Sequence, residues 1–355
     1  MIARMTRRQF SQRLLAAATL PLAGSPIAFA AERRKVIFDT DPGIDDAMAL
    51  LFLNALPDID LIGITTTFGN ATVATTTRNA LYLCERFGIN VPVASGAPDP
   101  LVGSYGPAPV AIHGKNGLGD ITLPERLTRS ADPRPAARFL IDTIRSHPGE
   151  VTLVAVGSLN NLARALRQDP GIAALTRQVI IMGGAIGYGG ILGNVTPATE
   201  ANIWDDPTAA DEVFGAAWPL TAVGLDVTEK VEMPRDYLDA LRHDGGETGQ
   251  FIWDITRIYE KFYHDVGLPN IYAHDASAVA YLARPELFKT RAGAVRVVTE
   301  GLAFGETIQK PAGRGFSPGA WDNRPTQNFC IDVDAETLRR LYRQTILDWE
   351  QRRQG

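Results

Sequence analysis

Eight short runs rich in β-branched and aliphatic residues recur from Lys35 onward, and several of them are apolar without interruption. They are KVIFD (35–39), IDLIGITTT (59–67), VPVA (91–94), VTLVAV (151–156), QVIIMG (178–183), PLTAVGL (219–225), VRVVT (295–299) and NFCIDV (328–333). A strand that is apolar at consecutive positions needs cover on both faces, which is the situation of strands in a parallel sheet. Helical patterns lie between these runs, at 45–54, 72–87, 135–146, 160–168, 207–214, 249–263 and 276–282. The alternation predicts an α/β fold: one domain with a mostly parallel, mixed central sheet flanked by helices.

No repeat, charge block or Pro/Gly/Ser-rich linker divides the chain, so residues 34–355 are expected to form a single domain. The first thirty residues read differently. TRRQFSQ (6–12) is a twin-arginine pattern, followed by an apolar run from Leu14 to Leu22 and a small-residue site at Ala28-Phe29-Ala30. This predicts a signal peptide over 1–30 and delivery to the periplasm by the twin-arginine route. Cleavage there removes four arginines and no acid, taking the formal net charge from −5 to −9. An acidic mature surface argues against nucleic acid or an anionic membrane as partner. Cys84 and Cys330 are the only cysteines, too few for a disulfide framework, and both sit in apolar patterns expected to be core.

Chemistry concentrates in VIFDTDPGIDDAMALLF (36–52), where Asp39, Asp41, Asp45 and Asp46 fall within eight residues of a strand–turn–helix pattern. Two unit charges about 4 Å apart repel by about 1 kcal/mol in water and about 4 kcal/mol at an effective dielectric near 20, so four acids together need an offset. Helix capping accounts for Asp45 and Asp46 but leaves the other two unexplained. Neither G-x-G-x-x-G nor G-x-x-x-x-G-K-[ST] occurs, and no His or Cys clusters with these acids, which points to a hard cation, Ca²⁺ or Mg²⁺, on oxygen ligands. Three long Gly-rich loops, Gly96–Leu123, Gly183–Pro197 and Gly301–Arg324, are expected to be functional or mobile.

The same stretch, DTDPGIDDAMAL, resembles the N-terminal signature of the inosine-uridine-preferring nucleoside hydrolases. The likeness continues in order through TTTFGN (65–70), HGKNGLG (113–119), VGSLNNLA (156–163), IIMGGA (180–185), GNVTPATEAN (193–202) and AHDASAVAY (273–281). It implies a Rossmann-like nucleoside hydrolase fold and hydrolysis of the N-glycosidic bond of ribonucleosides. It also implies a Ca²⁺ held by Asp41, Asp46, the Val156 carbonyl and Asp275, and a ribose held by Asp45, Asn70, Asn194, Glu200 and Asn202 with Met182 against the sugar. Asp41 would deprotonate the attacking water and His274 would protonate the leaving base, with His113 touching that base. His147, His243 and His264 read as surface or satisfied core residues. The resemblance further implies a homodimer or homotetramer.

Two positions depart from the family pattern. Val156 replaces a Thr, which is harmless where only the backbone binds, and Ala201 replaces a Phe, which removes an aromatic wall beside the sugar. Two competing readings follow from the same residues. VIFDTD also fits the D-x-D opening of haloacid-dehalogenase-type phosphatases, but the later strands supply one acid and no Lys. An exported nucleoside-binding protein without turnover would need neither Asp41 nor His274, and both are present.

Overall fold

Side chains alternate across β1 (Arg34–Thr40), so that Val36 and Phe38 enter one apolar layer while Ile37 enters the other. The same alternation splits Val154 from Leu153 and Ile180 from Val179 and Ile181, so the sheet is covered on both faces. The computed structural model describes residues 33–354; the expected signal peptide at 1–30 lies outside the described residues.

The remaining strands are β2 (Ile59–Thr66), β3 (Val93–Ser95), β4 (Thr152–Ala155), β5 (Gln178–Met182), β6 (Leu220–Val223), β7 (Glu232–Met233), β8 (Ile271–Tyr272), β9 (Phe288–Val297), β10 (Thr307–Pro311) and β11 (Thr326–Val333). Nine of the eleven strands among the described residues form one sheet in the order β10-β9-β11-β6-β5-β4-β1-β2-β3, and β7 and β8 form a separate ribbon. Pairing is parallel from β3 across to β11, whereas β9 runs antiparallel to both β11 and β10. The expected mixed, mostly parallel sheet is therefore present.

One layer of helices, including Ile44–Ala55, Val73–Phe87, Gly246–Asp265, His274–Ala283 and Ala335–Gln354, covers one face. Helices Ala136–Ser146, Asn160–Gln168 and Pro207–Gly215 cover the other. Cys84 and Cys330 are buried and unbridged. No helix among the described residues is long and apolar enough to cross a membrane.

The structure differs from expectation at the carboxy-terminal end. The run VRVVT is only the tail of β9, which starts seven residues earlier, and the Gly301–Arg324 loop contains β10. That strand alternates polar and apolar residues over Thr307-Ile308-Gln309-Lys310-Pro311, as suits a sheet edge rather than a doubly covered strand. Helices Arg235–Asp244 and Ala335–Gln354 were also not expected; in the latter Leu338, Tyr342, Ile346 and Trp349 form the buried stripe among many charges.

Asp39 pairs with Thr65 of β2 on one side and Ala155 of β4 on the other, so these three strands end level. After β1 the connections diverge, β2 and β3 lying on one side and β4 to β6 on the other. This is the crevice at strand carboxyl ends where open α/β sheets place ligands.

Candidate functional site

The turn after β1 is built to hold carboxylates inward. Asp46, at the third position of helix Ile44–Ala55, accepts the N–H of Asp41 at 3.0 Å and of Gly43 at 3.1 Å. The Thr40 hydroxyl at 2.5 Å and the Asn70 side-chain amide at 2.7 Å also donate to it. Asp39 points away into a structural pocket, where Thr65 and Asn161 donate to it. Burial pushes its pKa up to about 7. Asp41 lies between the turns after β2 and β4: Asn70 N–H donates to Oδ2 at 2.7 Å, and Oδ1 is buried with no partner among the described residues.

Asp45, Asp46 and Asp275 bring carboxylate oxygens within 4.8 Å of one another, an acidic group able to hold a metal ion. The structure thus groups Asp45, rather than Asp41, most tightly with the two other expected metal ligands. Asp45 Oδ1, like Asp39 Oδ2, is also buried without a partner among the described residues, while Tyr259 donates to Asp45 Oδ2 at 3.2 Å. Burial and mutual repulsion hold Asp41 and Asp275 well above the usual carboxylate range, and burial brings Asp45 to about 6. Unpaired oxygens converging from several elements, with no basic side chain to neutralise them, are the donor set of a hard cation. The Val156 carbonyl accepts the Asn202 amide at 2.9 Å and keeps its second lone pair.

Of these acids Asp45 and Asp275 line a cavity of about 740 Å³. Met182, Glu200 and Asn202 line it, with Asn194 at its exposed rim. Glu200 caps helix Ala201–Asp205 through the N–H groups of Asn202 and Ile203, and also accepts from Gly184 N–H at 2.8 Å. Asn202 donates to both Val156 and Met182, tying the ends of β4 and β5 together. Asn194 accepts the Ala201 N–H at 3.0 Å, so its loop is fastened to the same helix. The Gly-rich loop Gly183–Pro197 is held at its near end by Asp226, which accepts from Ile186 N–H at 2.8 Å and Tyr188 N–H at 2.5 Å.

The opposite wall is aromatic. His113 and His274 both line the cavity and are both buried. His113 Nδ1 accepts the Ile44 N–H at 3.2 Å, and burial lowers its pKa to about 4, so the Asp45 carboxylate 3.9 Å away is not an ion-pair partner. His274 Nδ1 meets the Thr228 hydroxyl at 2.8 Å and Nε2 meets the Tyr263 hydroxyl at 3.0 Å. Burial likewise brings His274 to about 4, so the imidazole is neutral at pH 7, with one ring nitrogen able to donate and the other to accept.

Ten of the expected site residues line this cavity, whereas Asp41 and Asp46 are not among its lining residues and adjoin it through Asn70, which donates to both. Sequence reasoning missed Tyr259, Tyr263, Asp205 and Glu229, which line it too. The two tyrosines are spaced i, i+4 on helix Gly246–Asp265 and read as core; only the fold brings them to Asp45 and His274.

A family profile described as "Inosine-uridine preferring nucleoside hydrolase" matches residues 36–340. The chain is similar to a protein named "Uridine nucleosidase 1" from Arabidopsis thaliana, 41% identical over 279 residues that cover 78% of this chain and 82% of that one. A "Pyrimidine-specific ribonucleoside hydrolase RihB" from Escherichia coli is 40% identical over 279 residues, covering 78% and 87% respectively. Among solved structures, one titled "Plant nucleoside hydrolase - PpNRh1 enzyme" superposes with a TM-score of 0.85 at 35% identity, over 88% of this chain and 99% of that one.

Proposed function

This chain belongs to the inosine-uridine preferring nucleoside hydrolases and is an enzyme that hydrolyses ribonucleosides; from that premise we propose how its residues divide the work. The observation that carries the reading is the pair of unpaired buried oxygens on Asp41 and Asp45, beside the Asp45, Asp46 and Asp275 group, at a cavity also lined by His113, His274 and tyrosines. Asp41, Asp46, the Val156 carbonyl and Asp275 would hold Ca²⁺, which when bound supplies the positive charge that makes a water easier to deprotonate.

Asp45, Asn70, Asn194, Glu200 and Asn202 hold the ribose hydroxyls, and Met182 packs against the ring. Asp41 Oδ1, the free buried acceptor, takes the proton of the attacking water. As the glycosidic bond breaks, positive charge develops on the sugar, and the carboxylates around it stabilise that state more than the neutral substrate. The base departs toward His113 and His274, where the neutral imidazole and the Tyr263 hydroxyl beside its Nε2 assist it by donating hydrogen bonds to the charge it gains. The relatives named for uridine and for pyrimidine ribonucleosides favour a pyrimidine ribonucleoside, uridine first, as substrate. A second copy of the chain, in a homodimer or homotetramer, is the partner this reading carries over from the family.

The test is release of free base and ribose from uridine, cytidine, inosine and adenosine, before and after stripping divalent ions and again after adding Ca²⁺. Turnover of uridine that stops on stripping and returns with Ca²⁺ is the expected result. Full turnover by protein whose metal analysis shows no divalent ion would overturn the calcium assignment, and no turnover of any nucleoside would overturn the substrate assignment.

A further inference from the structure

The aromatic end of the cavity contains one acidic side chain that the proposed reaction does not use. Glu229 follows Thr228, whose hydroxyl holds His274 Nδ1 at 2.8 Å, and it ends the short helix Leu225–Thr228. His274 in turn meets Tyr263, and the Tyr272 ring stands 5.6 Å from the His274 ring and 5.3 Å from that of Tyr263. Glu229 lines the cavity beside these three and is half-buried. Its negative charge helps raise the pKa of both Tyr263 and Tyr272, which marks it as a near neighbour of each.

Among the described residues no side chain or backbone donor meets this partly exposed carboxylate. Burial and the Asp226 charge raise its pKa, and no hydrogen-bond donor among the described residues offsets them. No Lys or Arg lines the cavity. A partly desolvated acceptor without a donor is unfavourable, and a ligand N–H placed against it removes that cost.

The residues proposed to hold the ribose, Asp45, Asn70, Glu200 and Asn202, line the same cavity as Tyr263, His274 and Glu229, so the base of a nucleoside held by the first group meets the second within it. Resting on the reading of this cavity as a ribonucleoside site, we propose that Glu229 reads the outer edge of the base by accepting a hydrogen bond from a ring N–H. Uracil offers such a donor at N3 and hypoxanthine at N1. Cytosine and adenine present a ring nitrogen lone pair there instead, which a carboxylate repels. Glu229 therefore separates uridine from cytidine, two pyrimidines of nearly equal size, by charge and hydrogen bonding rather than by room.

The experiment compares kcat/KM for uridine, N3-methyluridine and cytidine in the wild type, Glu229→Gln and Glu229→Ala. A hydrogen bond to a charged acceptor corresponds to a factor of about 10 to 100, so wild-type enzyme should favour uridine over N3-methyluridine and over cytidine by that much. In Glu229→Gln, which keeps the size and loses the charge, both ratios should fall toward one, and cytidine should gain because the amide can donate to its N3. Glu229→Ala should also lose the discrimination. Each ratio is taken within one preparation, so a reduced folded fraction cancels. Wild-type turnover with ratios unchanged in both variants would overturn the role of Glu229 alone; wild-type protein that releases no base from any nucleoside would overturn the site reading and this inference together.

Discussion

Asp41 has an oxygen with nowhere to go: Oδ2 takes the Asn70 amide, while Oδ1 is buried and unmatched. His274 is its counterpart across the cavity, neutral and held by two hydroxyls. Their proposed roles differ by leaving group. A natural nucleoside needs help to release its base, whereas a riboside of p-nitrophenol does not. His274→Ala is expected to cost about 10²- to 10⁴-fold on uridine and far less on the nitrophenyl riboside, while Asp41→Ala damages both. Equal losses for both substrates in the His274 variant would make its role structural. At this scale the acidic motif was plain in the sequence, because four acids in one short turn have no other comfortable explanation. Glu229 and Asp205 were not, since a single acid in a helical or turn segment is indistinguishable from a solvated one until the fold places it. Asp205 is half-buried in the cavity wall, and burial with the Glu200 and Asp206 charges pushes its pKa well up.

Among the elements, the turn after β2 shows how tightly the site is constructed. Gly69 has φ +152°, and a Cβ built there would lie 2.2 Å from Asp41 Oδ2 and 2.6 Å from Asp205 Oδ2. Gly157, in the turn after β4, presses Asp41 from the other side, where a Cβ would come within 2.3 Å of Oδ1. Gly69→Ala must therefore displace the Asp41 carboxylate, to which we assign the water proton. A displacement of about 1 Å in a reacting group can cost about 10²-fold, so kcat should fall by that order while KM changes less. A variant with wild-type kcat would show that Asp41 does not need this position. The doubly covered strands were legible because their apolar runs admit no other environment. The edge strand β10 and the helix Ala335–Gln354 were not, because their polar and charged residues dilute the pattern that marks the core.

For the whole molecule, the buried acids make stability depend on pH and on cation together. A carboxyl whose pKa rises on folding contributes stability at low pH that is lost as pH climbs through the folded value. For Asp39 this window runs from 3.8 to about 7, and for Asp45 from 3.8 to about 6. Asp41, Asp46, Glu200, Asp205 and Asp275 shift in the same direction. His113 and His274, lowered from 6.5 to about 4, act oppositely: their stability is present above 6.5 and lost as pH falls through 4. The carboxyls outnumber them, so the cation-free protein should weaken as pH rises from about 4 to about 7. A cation binds the ionised form, so the gain in Tm on adding Ca²⁺ should be larger at pH 7.5 than at pH 5, by at least about 2 °C. An equal gain at both pH values, read by thermal denaturation, would contradict the acidic site as the seat of binding.

The two buried, unbridged cysteines bear on where such a protein can mature. Burial holds the Cys84 thiol up at about 11 and raises that of Cys330 as well, so neither is a ready thiolate for exchange with an oxidant. No covalent bond remains to be made after the described residues have packed. The same folded state is thus within reach in a reducing compartment and in an oxidising one, without help from a disulfide-forming catalyst.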